Sequence, residues 1–230
     1  MTNIMKVLVN GTPVTVYSHK GQEFIEGRKG SEYILQISNQ NARRVKAVVS
    51  VDGISVIDGK PAGSHSTGYI IDPYKGIDID GWRISNDTVR KFVFDDVEKS
   101  YASRAGNSEA NVGVIAMRLY QEKAPLWTSS NFGYYPSGCR GLVGTASDLT
   151  YNANLGMSVS TSLSQVGTGQ GDAMVSHSRK TSFDAESTPY KTCIIYYDSR
   201  KGLEQRGIIL TRQNYLPNPF PADTGYCQSL

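Results

Sequence analysis

Apolar residues recur at every second position in segment after segment of this chain, and Asn-Gly or Asp-Gly pairs punctuate the segments. A period of two places alternate side chains on opposite faces of an extended strand, so one face of each strand can be buried and the other wetted. Tyr33, Leu35 and Ile37 make one such set, and Val45, Ala47, Val49 and Val51 make the next. Lys6-Val-Leu-Val9 and Val14-Thr-Val-Tyr17 flank Asn10-Gly11, which is the signature of a tight hairpin. Asp52-Gly53 leads into Ile54-Ser-Val-Ile57, and Asp58-Gly59 ends it, which predicts a β-meander.

Further strands are expected at Tyr69-Ile-Ile71, Gly76-Ile-Asp-Ile79 and Val89 to Phe94. Val112 to Tyr120 is the longest apolar run, and its β-branched residues predict a central strand buried on both faces. Asp95 to Gly106 is the place for a short helix, with Val97 and Tyr101 spaced at i and i+4. After Ala124-Pro125 the chain turns rich in Gly, Ser, Thr, Asn and Tyr as far as Ser178 and loses its periodicity. Strand patterning returns at Thr192 to Tyr197 and at Gly207 to Thr211, with a polar turn at Asp198 to Arg206 between them. Pro217, Pro219 and Pro221 forbid helix near the C-terminus and predict an extended arm.

At 230 residues this pattern fits one large β domain. The expected fold class is all-β: an antiparallel, jelly-roll-like β-sandwich over residues 1–211, with a long irregular insertion at 124–178 and a proline-rich arm at 212–230. The charged fraction of 20% and apolar fraction of 39% are those of a folded globule rather than a disordered chain. A net charge of +3 is too balanced to predict a nucleic-acid partner, and Arg43-Arg44 and Arg179-Lys180 read as short, isolated, solvated runs. Met1 to Asn10 lacks a leader-like apolar run, and no stretch reaches the ~18–20 apolar residues of a spanning helix. Synthesis in the cytoplasm, without membrane insertion, is therefore expected.

Candidate chemistry is sparse. Cys139, Cys193 and Cys227 are too few for a disulfide framework; Cys193 is expected in a buried strand, and Cys139 and Cys227 are free to pair or not. Asp52, Asp58, Asp72, Asp78 and Asp80 lack the spacing of a calcium loop and have turn chemistry as their account. His19, His65 and His177 form no zinc pattern. Glu23, Glu26 and Glu32, or Asp95 with Asp96, could supply paired carboxylates, but adjacent aspartates in a strand point to opposite faces. Gly167-Thr-Gly-Gln-Gly171 departs from the phosphate-cradling loop pattern. Cys139, beside Arg140, with His177 as base is the one nucleophile–base pair to weigh. No catalytic residue, cofactor or metal is expected.

The fourteen tyrosines point elsewhere. Tyrosine offers a large contact area at low entropic cost and is enriched at interfaces. Tyr134, Tyr135, Tyr151, Tyr215 and Tyr226, with Phe220, fall outside the clear strands and are the candidate partner-binding residues.

Several phrases resemble an uncharacterised family of bacterial and bacteriophage genomes. They include Glu26-Gly-Arg-Lys-Gly-Ser-Glu-Tyr33, Val48-Val-Ser-Val-Asp-Gly53, Gly68-Tyr-Ile-Ile-Asp-Pro-Tyr74, Gly81-Trp-Arg83, Asn111-Val-Gly-Val-Ile115, Gly167 to Gly171, and Tyr196-Tyr-Asp-Ser-Arg200. The likeness covers about residues 5–123 and 165–211. Its phage members look like virion components, and the resemblance carries no activity and no catalytic residue. The implied function is a non-enzymatic virion structural protein, as capsid decoration or part of the neck, collar or tail. It would be present in symmetric copies and bound to capsid, portal or tail subunits. The alternatives are a module binding a carbohydrate or host-surface molecule and, behind it, a cysteine hydrolase using Cys139.

Overall fold

The computed structural model describes residues 4–105, 109–124, 164–208 and 210. Fourteen strands run along them: β1 (Met5–Val9), β2 (Thr12–Pro13), β3 (Val16–His19), β4 (Gln22–Glu26), β5 (Glu32–Ser38), β6 (Val45–Val51), β7 (Ile54–Ser55), β8 (Tyr69–Ile71), β9 (Gly76–Ile79), β10 (Gly81–Arg83), β11 (Thr88–Asp96), β12 (Val114–Gln121), β13 (Val166–Val175) and β14 (Lys191–Asp198). Two short α-helices, α1 (Tyr101–Arg104) and α2 (Arg200–Gln205), and two 3-10 turns, Val97–Lys99 and Glu109–Asn111, accompany them. The fold is all-β and sandwich-like, with two seven-stranded sheets.

In the first sheet β10, β11, β5, β1 and β2 follow one another, with β13 on β11 and β9 on β5. In the second the order is β3, β4, β14, β12, β6, β7, with β8 also on β6. One pair departs from the antiparallel expectation. β14 runs parallel to β4, pairing Tyr196 with Phe24 and Asp198 with Glu26. These strands lie far apart in sequence, so no hairpin dictates their direction.

The alternation read from the sequence sets the core. Tyr33, Leu35 and Ile37 from the first sheet meet Val45, Ala47, Val49 and Val51 from the second in one continuous cluster. An aromatic stack runs through it. Tyr33 lies between Phe92 and Phe94, at ring-centroid distances of 5.2 and 4.3 Å, and Phe94 meets Tyr197 of the opposite sheet at 5.2 Å. The Asn10-Gly11 and Asp52-Gly53 turns carry the paired positive φ values that two-residue hairpins require. Lys20-Gly21, not foreseen, does the same between β3 and β4.

Four readings need correction. β12 is central, between β14 and β6, but its two faces differ: Ile115, Met117 and Leu119 are buried on one, while the other buries Tyr120, half-buries Val114 and Ala116, and exposes Arg118. The end of the 124–178 segment is not a projection, because β13 pairs along β11 from Val166 to Val175. Of the strand expected over Gly207 to Thr211, the described residues Gly207, Ile208 and Leu210 belong to no strand. Gly207 turns at φ 77°, and Ile208 and Leu210 close a second small cluster with Phe24 and Leu203. The polar turn before it contains α2, capped by Ser199, which accepts a hydrogen bond from the Gly202 amide at 3.0 Å. The short helix expected between Asp95 and Gly106 is present as α1 and the 3-10 turn before it.

Candidate functional site

The partner-binding residues expected from the sequence, Tyr134, Tyr135, Tyr151, Tyr215, Phe220 and Tyr226, lie outside the described residues, as do Cys139 and Cys227. The other candidates are spread over the sandwich. Asp58 accepts from the Lys60 amide, Asp78 from Gln36, and Asp80 from Ser176. Glu26 pairs with Arg28, Glu32 with Lys91, and Asp96 with Lys29. His177 meets Asp87 at 2.9 Å. Among the described residues no three His, Cys, Asp or Glu side chains gather as metal ligands. Cys193 sits in β14 half-buried rather than fully buried, and that burial raises its thiol above the ordinary range, away from the reactive thiolate.

Asp52 is different. Its turn geometry is the expected one, but its carboxylate points into the core and is 1% exposed. Oδ1 accepts from the Tyr197 hydroxyl at 2.6 Å and the Gly113 amide at 2.9 Å, and Oδ2 accepts from the Thr168 amide at 2.9 Å. The Thr168 hydroxyl then lies 2.7 Å from the Tyr197 hydroxyl and 2.9 Å from that of Tyr33. Tyr33 and Thr168 belong to the first sheet, Tyr197 to the second, and Asp52 to the turn that joins β6 and β7 of the second. The chain of hydroxyls therefore ties the two layers together. Beside it Asp198, 2% exposed, accepts from the amides of Gln165 and Ser199 at 2.9 and 2.7 Å and pairs with Arg206 at 3.3 Å. Five phrases quoted from the sequence, those holding Tyr33, Asp52, Gly113, Thr168 and Tyr197, converge here.

Burial pushes the Asp52 carboxyl up to about 6, against the pull of its hydrogen bonds from Tyr197, Thr168 and Gly113. Burial likewise raises the Tyr33 and Tyr197 hydroxyls well above the ordinary range. Both tyrosines stay neutral donors, and the hydroxyls can reverse direction when Asp52 gains a proton. The network is enclosed, so its work is to hold the sheets in register. The alternation had already placed Tyr33 on the buried face, and a buried tyrosine hydroxyl requires a partner. That was the signal in the sequence for this junction.

Two surface features remain open to partners. β13, the longest strand, pairs with β11 along one edge, and among the described residues no strand pairs along its other edge. Its last six residues leave the core, apart from partly covered Gly171, and Met174 and Val175 are 37% and 67% exposed. At the other feature, residues from β6, β8, β10 and the 176–183 strap surround a cleft of about 840 Å³. Arg44, Lys46, Arg83, Arg179 and Lys180 line it, so the two basic runs that look isolated in sequence contribute to one concavity. No protein-family model matches the chain, and no curated protein or solved structure matches it significantly.

Proposed function

We propose that this chain is a non-enzymatic structural component of a bacteriophage virion, a rigid β-sandwich that binds neighbouring subunits in a symmetric assembly. The observation that carries the reading is the free edge of β13. An unpaired strand edge is a template for another chain, and soluble proteins usually shorten, charge or cover it. Here the outer six residues, 170–175, present it, with Met174 and Val175 exposed at its end, while the inner four are buried and the Thr168 amide is taken by Asp52. Strand addition from a neighbouring copy fits such an edge. The junction at Asp52 supports the same reading, because it fixes the sandwich as a stiff platform from which the edge projects. The family resemblance of the sequence supports the virion setting, and the segments bearing Tyr134, Tyr135, Tyr151, Tyr215, Phe220 and Tyr226 supply further anchors.

The test pairs two changes. Met174→Lys with Val175→Lys places charge on the open end of β13 without touching the core. Deleting residues 212–230 removes the arm. Each variant is expected to keep the parent's circular dichroism and melting temperature and to lose incorporation into particles. Normal incorporation of both would sink the proposal.

A further inference from the structure

The basic cleft is a second surface, made of other residues than the β13 edge. Arg44 is neutralised in a two-point ion pair with Glu122. The remaining charge is not balanced. Arg83 donates to the Tyr69 hydroxyl at 3.1 Å and to the carbonyls of Ser85, Asn86 and Ser176 at 3.1, 3.2 and 2.9 Å, acceptors that carry no formal charge. Lys46 lies over the Tyr120 ring at 5.0 Å. Arg179 and Lys180 are exposed and have no carboxylate partner among the described residues. Against them the lining offers one carboxylate, Asp72, with Asp80 behind the hydroxyl of Ser176. The segments outside the described residues bring no surplus acid: residues 125–163 hold Arg140 and Asp148, and residues 211–230 hold Arg212 and Asp223. Among the described residues the cleft therefore keeps a net positive charge that an anionic ligand would balance.

The lining also says what kind of anion fits. Ser66, Thr67 and Thr181 bring hydroxyls that can donate and accept, as sugar hydroxyls require, and Ser178, whose proton goes to the Asn86 carbonyl, can accept. The aromatic faces are already occupied. The Arg44 guanidinium lies 5.7 Å from the Phe183 ring centroid and that of Arg83 lies 5.6 Å from that of Tyr69. Stacked bases, the mainstay of single-strand binding, would have to displace those arginines. The concavity is of small-ligand size rather than a track for successive phosphates. We propose that this cleft binds an anionic oligosaccharide, a short run of sugars bearing carboxylate or phosphate groups.

Isothermal titration of the full chain tests this. The probes are tetragalacturonate for the carboxylate, glucose 6-phosphate for the phosphate, maltotetraose as the neutral control and an oligothymidylate as the nucleic-acid control. One of the two anionic sugars is expected to bind with a dissociation constant below about 1 mM and at least about tenfold more tightly than maltotetraose. Which of them binds identifies the charged group. Arg179→Ala with Lys180→Ala removes only exposed side chains. It should leave the melting temperature unchanged and weaken binding about tenfold. Failure of both anionic sugars to bind, unchanged binding by the double variant, or tighter binding of the oligothymidylate would overturn the proposal. Particle incorporation is read separately, so a failure here is distinct from a failure of the assembly reading.

Discussion

Asp52→Ala is expected to lower the unfolding free energy by about 4 kcal/mol near pH 4, since it leaves several buried donors without an acceptor at roughly 1–3 kcal/mol each. The donors are the Tyr197 hydroxyl and the amides of Gly113 and Thr168. The loss should depend on pH in a defined direction. Folding raises the Asp52 carboxyl from 3.8 to about 6, so the folded state binds its proton more tightly. The stability this group contributes is fully present below 3.8 and is lost as the pH rises through about 6. At about 1.4 kcal/mol per unit, that loss is about 3 kcal/mol in the parent. The variant has no such titration, so the gap between the two proteins narrows between about pH 3 and pH 7. Asp52→Asn keeps one acceptor oxygen and should fall between them, also without the titration. Urea unfolding of the three proteins at several pH values measures this directly. Parallel stability curves would show that the carboxyl is not held as described.

Phe94→Ala is expected to cost about 4 kcal/mol, within the range for a fully buried aromatic residue replaced by alanine. Phe94 is 0% exposed and touches both layers, through Tyr33 in the first sheet and Tyr197 in the second. Its amide donates to the Ser31 carbonyl and its carbonyl accepts from the Gly30 amide, so the strand itself stays anchored. The substitution therefore opens a cavity rather than unpairing β11. Tyr33 and Tyr197 lose their ring contact and with it the packing that aims their hydroxyls at Thr168. Phe94→Leu fills most of the space and should lose less than half as much. Equal losses for alanine and leucine would show that the aromatic contact, not the volume, is what matters.

Much of the sandwich was legible because strand periodicity and turn chemistry agreed. Asn10-Gly11 and Asp52-Gly53 turn where they were expected to, and the inward sets of β5 and β6 are those the alternation selected. β13 was missed for a physical reason. Its inner half is built of small residues because the chain before α1 presses on it: a Cβ at Gly167 would lie 2.6 Å from the Ser100 Cβ. Glycine there serves close approach, and it erases the apolar alternation by which a strand is recognised. The converse error fell at Ile208 and Leu210, whose alternation marks a cap over Phe24 and Leu203 rather than a strand. Asp52 looked like a turn residue and is one, but sequence does not tell on which side of a turn a carboxylate lies. The basic cleft was illegible for another reason. Arg44 and Arg179-Lys180 are far apart in the chain and meet only because the strap after β13 returns past β8 and β10.

The most direct measurement is the protein content of purified phage particles from cells carrying this gene, quantified by mass spectrometry against the major capsid protein. The proposal predicts the chain in the particles at a fixed, multi-copy ratio that matches a symmetric ring or lattice. Its presence in the lysate but absence from purified particles would contradict the account.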